Sequence, residues 1–233
     1  MTGGGLGWWQ QAALWGAKDL ALSWRGRARL AAQAAFGVLM VLLFSFAAGP
    51  NGQVLGLLAP GFLWLVVVLS SNLQLAASAS EEVQDDALEG LRLLGMRPSA
   101  MFVGAALVNA GALVVLAAST WPLAAAVYGL EAAGVGAMAR LAATTVLGIL
   151  AVCGPGTLLA TVAARARGRE MLLPLLLYPL LVPGLLAAVK ATQAALAGDP
   201  MQEYGSWMAL LVAFNLLYWP LGTALFGHVV EQA

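Results

Sequence analysis

The chain has 233 residues, of which 9% are charged and 61% hydrophobic, with zero net charge and one cysteine. An average soluble domain is roughly 25% charged, so a water-soluble fold could not hide this much apolar surface, and lipid must take the excess. The absence of a basic patch excludes nucleic acid as a partner, and the lone Cys153 excludes an internal disulfide and reads as a small buried thiol.

Residues 1–28 hold Trp8, Trp9, Trp15 and Trp24 among Lys18, Asp19, Arg25 and Arg27, without the compact apolar run of a cleavable signal. They predict an interfacial amphipathic helix, tryptophans at headgroup level and cations toward anionic lipid. The plainer alternative is a short leader followed by an ordinary cytoplasmic helix.

About 20 apolar residues span a bilayer as a helix, and six segments within residues 29–233 qualify. They cover approximately residues 29–48, 54–77, 100–118 (extending toward 127), 141–163, 171–189 and 207–230. The fold class is therefore an all-α polytopic membrane protein with six transmembrane helices. Lys18, Arg25, Arg27, Arg29, Arg92, Arg97, Arg165, Arg167 and Arg169 all fall on one side of these spans, and only Arg140 and Lys190 fall on the other. That asymmetry is the positive-inside pattern, and it places both termini in the cytoplasm. The outer loops are then residues 49–53, 119–140 and 190–206, too short for an external domain, with Arg140 and Lys190 snorkelling from helix ends.

The longest polar run lies on the cytoplasmic side at residues 78–99, and a helix is expected at about 82–98. Glu81, Glu82, Asp85, Asp86 and Glu89 come first and Arg92 and Arg97 last, as a helix dipole prefers. Leu88, Leu91 and Leu94 recur at helical spacing, Glu89 and Arg92 pair at i, i+3, and Pro98 is expected to end the helix. Five acids do not favour anionic lipid, so a protein surface is the better partner. Two readings stay open: a helix that docks in a separate ATPase and transmits its motion, or a solvated loop helix.

Further along, Cys153-Gly154-Pro155-Gly156 interrupts the fourth span, and Pro174, Pro179 and Pro183 punctuate the fifth. Proline removes a donor and glycine admits close helix approach. Gly154, Pro155, Gly156, Pro179 and Pro183 are therefore candidate hinge residues, with mid-membrane breaks expected to line a cavity; ordinary membrane-helix composition is the equal alternative. No G-x-x-x-x-G-K-[ST] motif is present, so ATP phosphates cannot be cradled here. His228 is the only histidine, which cannot build a metal site alone. The spans hold almost no ionisable side chain, against a proton relay. Nothing favours an enzyme, and no directly bound cofactor is expected.

Leu43-Phe44-Ser45-Phe46, Gly49-Pro50, Leu58-Ala59-Pro60-Gly61-Phe62-Leu63-Trp64 and Leu69-Ser70-Ser71 resemble the first two spans of the haem exporter protein B family, CcmB, of bacterial cytochrome c maturation. The family's acidic D-x-x-x-L-E-x-L pattern is similar to residues 85–91. Gly154-Pro155-Gly156, the basic turn at 165–169 and the proline-punctuated run from Leu172 to Pro183 resemble its fourth and fifth spans. The chain departs from the family at Ala77-Ser78, where a Glu-Arg pair is common, and at Gly95-Met96 before Arg97-Pro98.

The resemblance implies an ABC-2-type permease subunit in the bacterial inner membrane, present as two copies. Its implied partners are a cytoplasmic ABC ATPase subunit, a tryptophan-rich haem-handling membrane subunit (CcmC-like), a small helper subunit and a periplasmic haem chaperone. Haem is implied as substrate of the complex, exported or released on its chaperone. A non-transporting scaffold for the ATPase and haem-handling subunits is the second reading, and a lipid or glycan exporter of like architecture the third.

Overall fold

The computed structural model describes residues 7–8, 27–49, 52–84, 97–130, 134–164, 169–199 and 201–231; for residues 27–30, 81–84, 169–170 and 230–231 it is the backbone that is described. Six long helices follow in chain order: α1 (Arg27–Ala48), α2 (Gly52–Gln84), α3 (Pro98–Tyr128), α4 (Gly134–Ala164), α5 (Arg169–Leu196) and α6 (Tyr204–Glu231). All six are long and apolar enough to cross a membrane. The helical requirement is physical, because a backbone in hydrocarbon has no water to satisfy its polar groups.

Two expected outer loops are largely helix instead. Residues 119–128 extend α3, because Ala124 and Tyr128 are buried and the Tyr128 hydroxyl donates to the Val41 carbonyl of α1 at 2.8 Å. Residues 134–140 belong to α4, and 190–196 belong to α5, where Ala191, Thr192 and Ala195 are fully buried. Packing, not hydropathy, carries these helices past the span ends expected from the sequence. α3 stops at Gly129, whose φ of +64° suits glycine and whose N–H reaches the Ala125 carbonyl. In the α5–α6 turn the Asp199 carboxylate accepts from the Tyr204 N–H at 3.1 Å and caps α6.

Pro98 opens α3, with Arg97 in the N-cap position; the helix it was expected to end falls on residues outside the described ones. The first turn of a helix has spare N–H groups, so a missing donor costs nothing there.

The centre of the bundle is α4, which packs against α2, α3, α5 and α6. Its glycines receive the large side chains of its neighbours. The Trp64 ring of α2 covers Gly148, Leu75 of α2 sits on Gly156, and Trp219 of α6 lies over Gly154. With no hydrophobic drive between helices in lipid, such close fits supply the attraction. α1 is the most peripheral helix and is held by Gly37, which faces Thr120 and Leu116, and by Phe44 stacked on Phe62 at 4.4 Å.

Candidate functional site

The helices alternate in direction, so α1, α3 and α5 begin at the same end of the bundle where α2, α4 and α6 finish. Arg27, Arg97 and Arg169 mark this end, as do Glu81 and Glu82 in the last turns of α2. The polar stretch from Ser78 to Gln84 is thus a continuation of the second span, not the start of a separate helix. Asp85, Asp86, Leu88, Glu89, Leu91, Arg92 and Leu94 lie outside the described residues, as do residues 1–6 and 9–26 of the expected interfacial helix.

The structure describes the two levers that carry the acidic segment. α2 is keyed into α4 by Leu75 on Gly156. α3 is anchored within its first two turns. Met101 and Phe102 are fully buried, and Phe102 meets Phe226 at 5.6 Å and Trp219 at 6.1 Å and rests on Gly222. Trp8 joins this cluster, and its indole N–H donates to the Ser99 hydroxyl at 3.0 Å, next to Arg97 and Pro98. Between α2, α4 and α5 at the same end lies a hollow of about 190 Å³ walled by Ala76, Ala77, Ser80, Ala160, Ala163 and Leu173. The two helices that flank residues 85–96 are thus packed against α4, through α2, and against α6, through α3.

Gly154, Pro155 and Gly156 are all buried at the middle of this packing. Pro155 cannot donate to the Ala151 carbonyl one turn earlier, while the Trp219 indole N–H donates to the neighbouring Leu150 carbonyl at 3.2 Å and Asn215 to that of Leu147 at 3.1 Å. Pro179 and Pro183 stand exposed on the outward face of α5, with Pro174 half-buried. Both helices run unbroken through these positions, with Gly154 and Gly156 covered by Trp219 and Leu75 and with Pro179 and Pro183 exposed.

One feature of the interior escaped the sequence reading. Gln33 of α1 donates to the Gln74 side-chain carbonyl of α2 at 2.7 Å, and the Gln74 amide donates to Asn109 of α3 at 3.4 Å. All three are buried, as is Ser70, one turn from Gln74 on the same face of α2. Gln33 Oε1 and Ser70 Oγ have no partner among the described residues. The signal lies in the sequence, since amides within apolar spans turn inward to find each other.

At the opposite end, the Arg140 guanidinium lies 5.5 Å from the Tyr204 ring centroid, and the Tyr204 hydroxyl donates to the Arg140 carbonyl at 3.0 Å, tying α4 to α6. Lys190 is exposed on α5, and His228 is exposed near the end of α6.

Residues 12–232 match the CcmB protein family. The chain is 31% identical over 215 residues to heme exporter protein B of Pseudomonas aeruginosa, covering 89% of this chain and 92% of that one. It is 32% identical over 208 residues to heme exporter protein B of Escherichia coli K12, covering 88% and 92%. Against heme exporter protein B of Paracoccus denitrificans it is 33% identical over 193 residues, covering 79% and 84%. With six membrane helices and a match along nearly its whole length, the chain belongs to the CcmB family.

Proposed function

We propose that this chain works as the membrane subunit of the ABC-type complex of cytochrome c maturation, with its basic end in the cytoplasm. The observation that carries the reading is the family match over residues 12–232, together with a six-helix bundle whose second and third spans bracket an acidic segment. The chain is a multi-pass protein of the bacterial inner membrane. As a CcmB-family subunit it is not the catalytic one, and ATP is hydrolysed by a partner ATPase. The architecture is of the ABC-2 exporter kind, with both termini cytoplasmic, as the arginines of the even-numbered loops favour.

Coupling runs through residues 85–98. The acids Asp85, Asp86 and Glu89 supply the charge that meets the ATPase, and Leu88, Leu91 and Leu94 supply the apolar face. Anchored by Leu75 on Gly156 and by Phe102 on Gly222, α2 and α3 convey the motion into α4 and α6. The other partners are a tryptophan-rich haem-handling subunit, a small helper, a periplasmic haem chaperone and a second copy of this chain, with haem as cargo of the assembly.

Charge reversal at Asp85, Asp86 and Glu89 tests this reading. The triple Lys variant is expected to assemble in the membrane with unchanged thermal stability while stimulation of the partner ATPase is lost. Unchanged stimulation would remove the coupling role. The scaffold reading is favoured by one observation, the close cover that Trp219 and Leu75 lay over Gly154 and Gly156 in the middle of α4. It predicts that haem never cross-links to residues facing Gly154, whereas export through the bundle predicts that it does.

A further inference from the structure

A lateral slot opens between α3 and α4 in the half of the bundle away from the basic end. Its volume is about 400 Å³, and its walls include Val114, Trp121 and Ala125 on one side and Met138, Ala142 and Val146 on the other. Val114, Met138 and Val146 are exposed, so the slot faces the bilayer directly. Along α3 it runs from Val114 to Ala125, about 16 Å at the helical rise. That length is about half the roughly 30 Å hydrocarbon core, the depth of one leaflet.

Shape narrows the occupant. A 400 Å³ space over that length has a cross-section on the order of 25 Å², the girth of a single alkyl chain. One turn of a helix about 10 Å across already displaces about 420 Å³, so a partner helix can set side chains into the slot but cannot lie within it. The lining is apolar apart from Thr145, whose hydroxyl is spent on the Leu141 carbonyl at 2.8 Å, and the indole N–H of Trp121, which has no partner among the described residues.

The slot does not end in apolar surface. At the outer end it meets a second hollow of about 290 Å³, the two sharing Leu130 and Leu196. This second hollow is more polar and includes Gln193 of α5. Lys190 stands three residues before Gln193 on the same face of α5 and is exposed. Its ammonium can rise along the helix to headgroup level, where a phosphate is the complementary charge. Arg140, the other cation of this end, is held over Tyr204 of α6.

We infer that this composite groove binds a phospholipid of the outer leaflet, with an acyl chain in the α3–α4 slot and its phosphodiester headgroup beside Gln193 and Lys190. Lipid held there wedges α3 and α4 at the end remote from the acidic segment. It is a bound component of the folded subunit and a separate matter from the cargo.

The test is lipid retention on the intact, detergent-purified complex after an exhaustive delipidating wash, read by native mass spectrometry. The parent chain is expected to keep a phospholipid in stoichiometric amount. Ala118→Trp and Ala142→Trp, at exposed positions that line the slot, are expected to reduce it at least tenfold with an unchanged melting midpoint. Lys190→Glu is expected to shift the retained pool toward zwitterionic headgroups. A parent complex that washes free of phospholipid would overturn the proposal, as would equal retention in both slot-filling variants. Cross-linking of a cysteine at position 142 to a partner protein instead of to lipid would also overturn it.

Discussion

The indole N–H of Trp64 on α2 donates to the Thr192 hydroxyl on α5 at 3.0 Å, joining residues 128 positions apart, while the same ring lies flush on Gly148 of α4. Thr192 in turn donates to the Ala188 carbonyl at 2.8 Å. One side chain thus ties three helices. Trp64→Phe keeps much of the ring and loses the hydrogen bond. It is expected to cost about 0.6–1.7 kcal/mol, the range for interhelical bonds in membranes, measured as a lowered unfolding midpoint in detergent.

The two sides of the α4 seam differ in how far they can yield. An added methyl at Gly148 meets the rigid six-membered ring of Trp64, whereas one at Gly156 meets the free end of Leu75, 2.5 Å from the ideal methyl position. Gly148→Ala is expected to destabilise by about 1–3 kcal/mol, as overpacking does, and Gly156→Ala by less, since Leu75 can rotate. Adding Trp64→Leu to Gly148→Ala should recover part of the loss and give a coupling above about 0.5 kcal/mol in a double-mutant cycle. Additive losses would show that the ring and the glycine act independently.

The amide ladder gives a prediction with a change of sign. Gln74→Leu removes the middle member and strands Gln33 and Asn109, both buried, so a loss of about 1–3 kcal/mol is expected. Converting Gln33 and Asn109 to Leu as well leaves no stranded amide, and stability is expected to return toward the parent. Thermal unfolding of the single and triple variants decides it. A triple variant less stable than the single one would mean that the ladder, not its disruption, governs the packing of α1.

Topology can be read with one reagent. Cys153 is fully buried, so the parent chain is expected to give no signal with a membrane-impermeant maleimide. Met201→Cys, at a position 79% exposed in the α5–α6 turn, is expected to label in intact spheroplasts, and Arg167→Cys only after lysis. The reverse pattern would invert the bundle in the membrane.

Six helices could be read directly from the chain, because about 20 apolar residues in a row leave no alternative to a spanning helix. The fourth and fifth spans were legible in outline for the same reason. Their true ends were not. Residues 134–140 and 190–196 are held in helix by neighbours that hydropathy does not report, such as Tyr204 over Arg140 and the burial of Thr192. Pro98 raises a similar point. A proline can end one helix and begin the next, and the burial of Met101 and Phe102 just after it fixes the beginning of α3.

By itself the sequence determined class, number of spans and family, because each rests on local composition or on motifs contiguous in the chain. Tertiary structure alone decided which polar groups meet and which apolar faces remain open. Gln33, Gln74 and Asn109 are ordinary amides until three helices bring them together, and the slot between Val114 and Val146 exists only as a gap between two helices. Lipid-facing and helix-facing residues are equally apolar, so their separation is written in the geometry of packing and not in residue type.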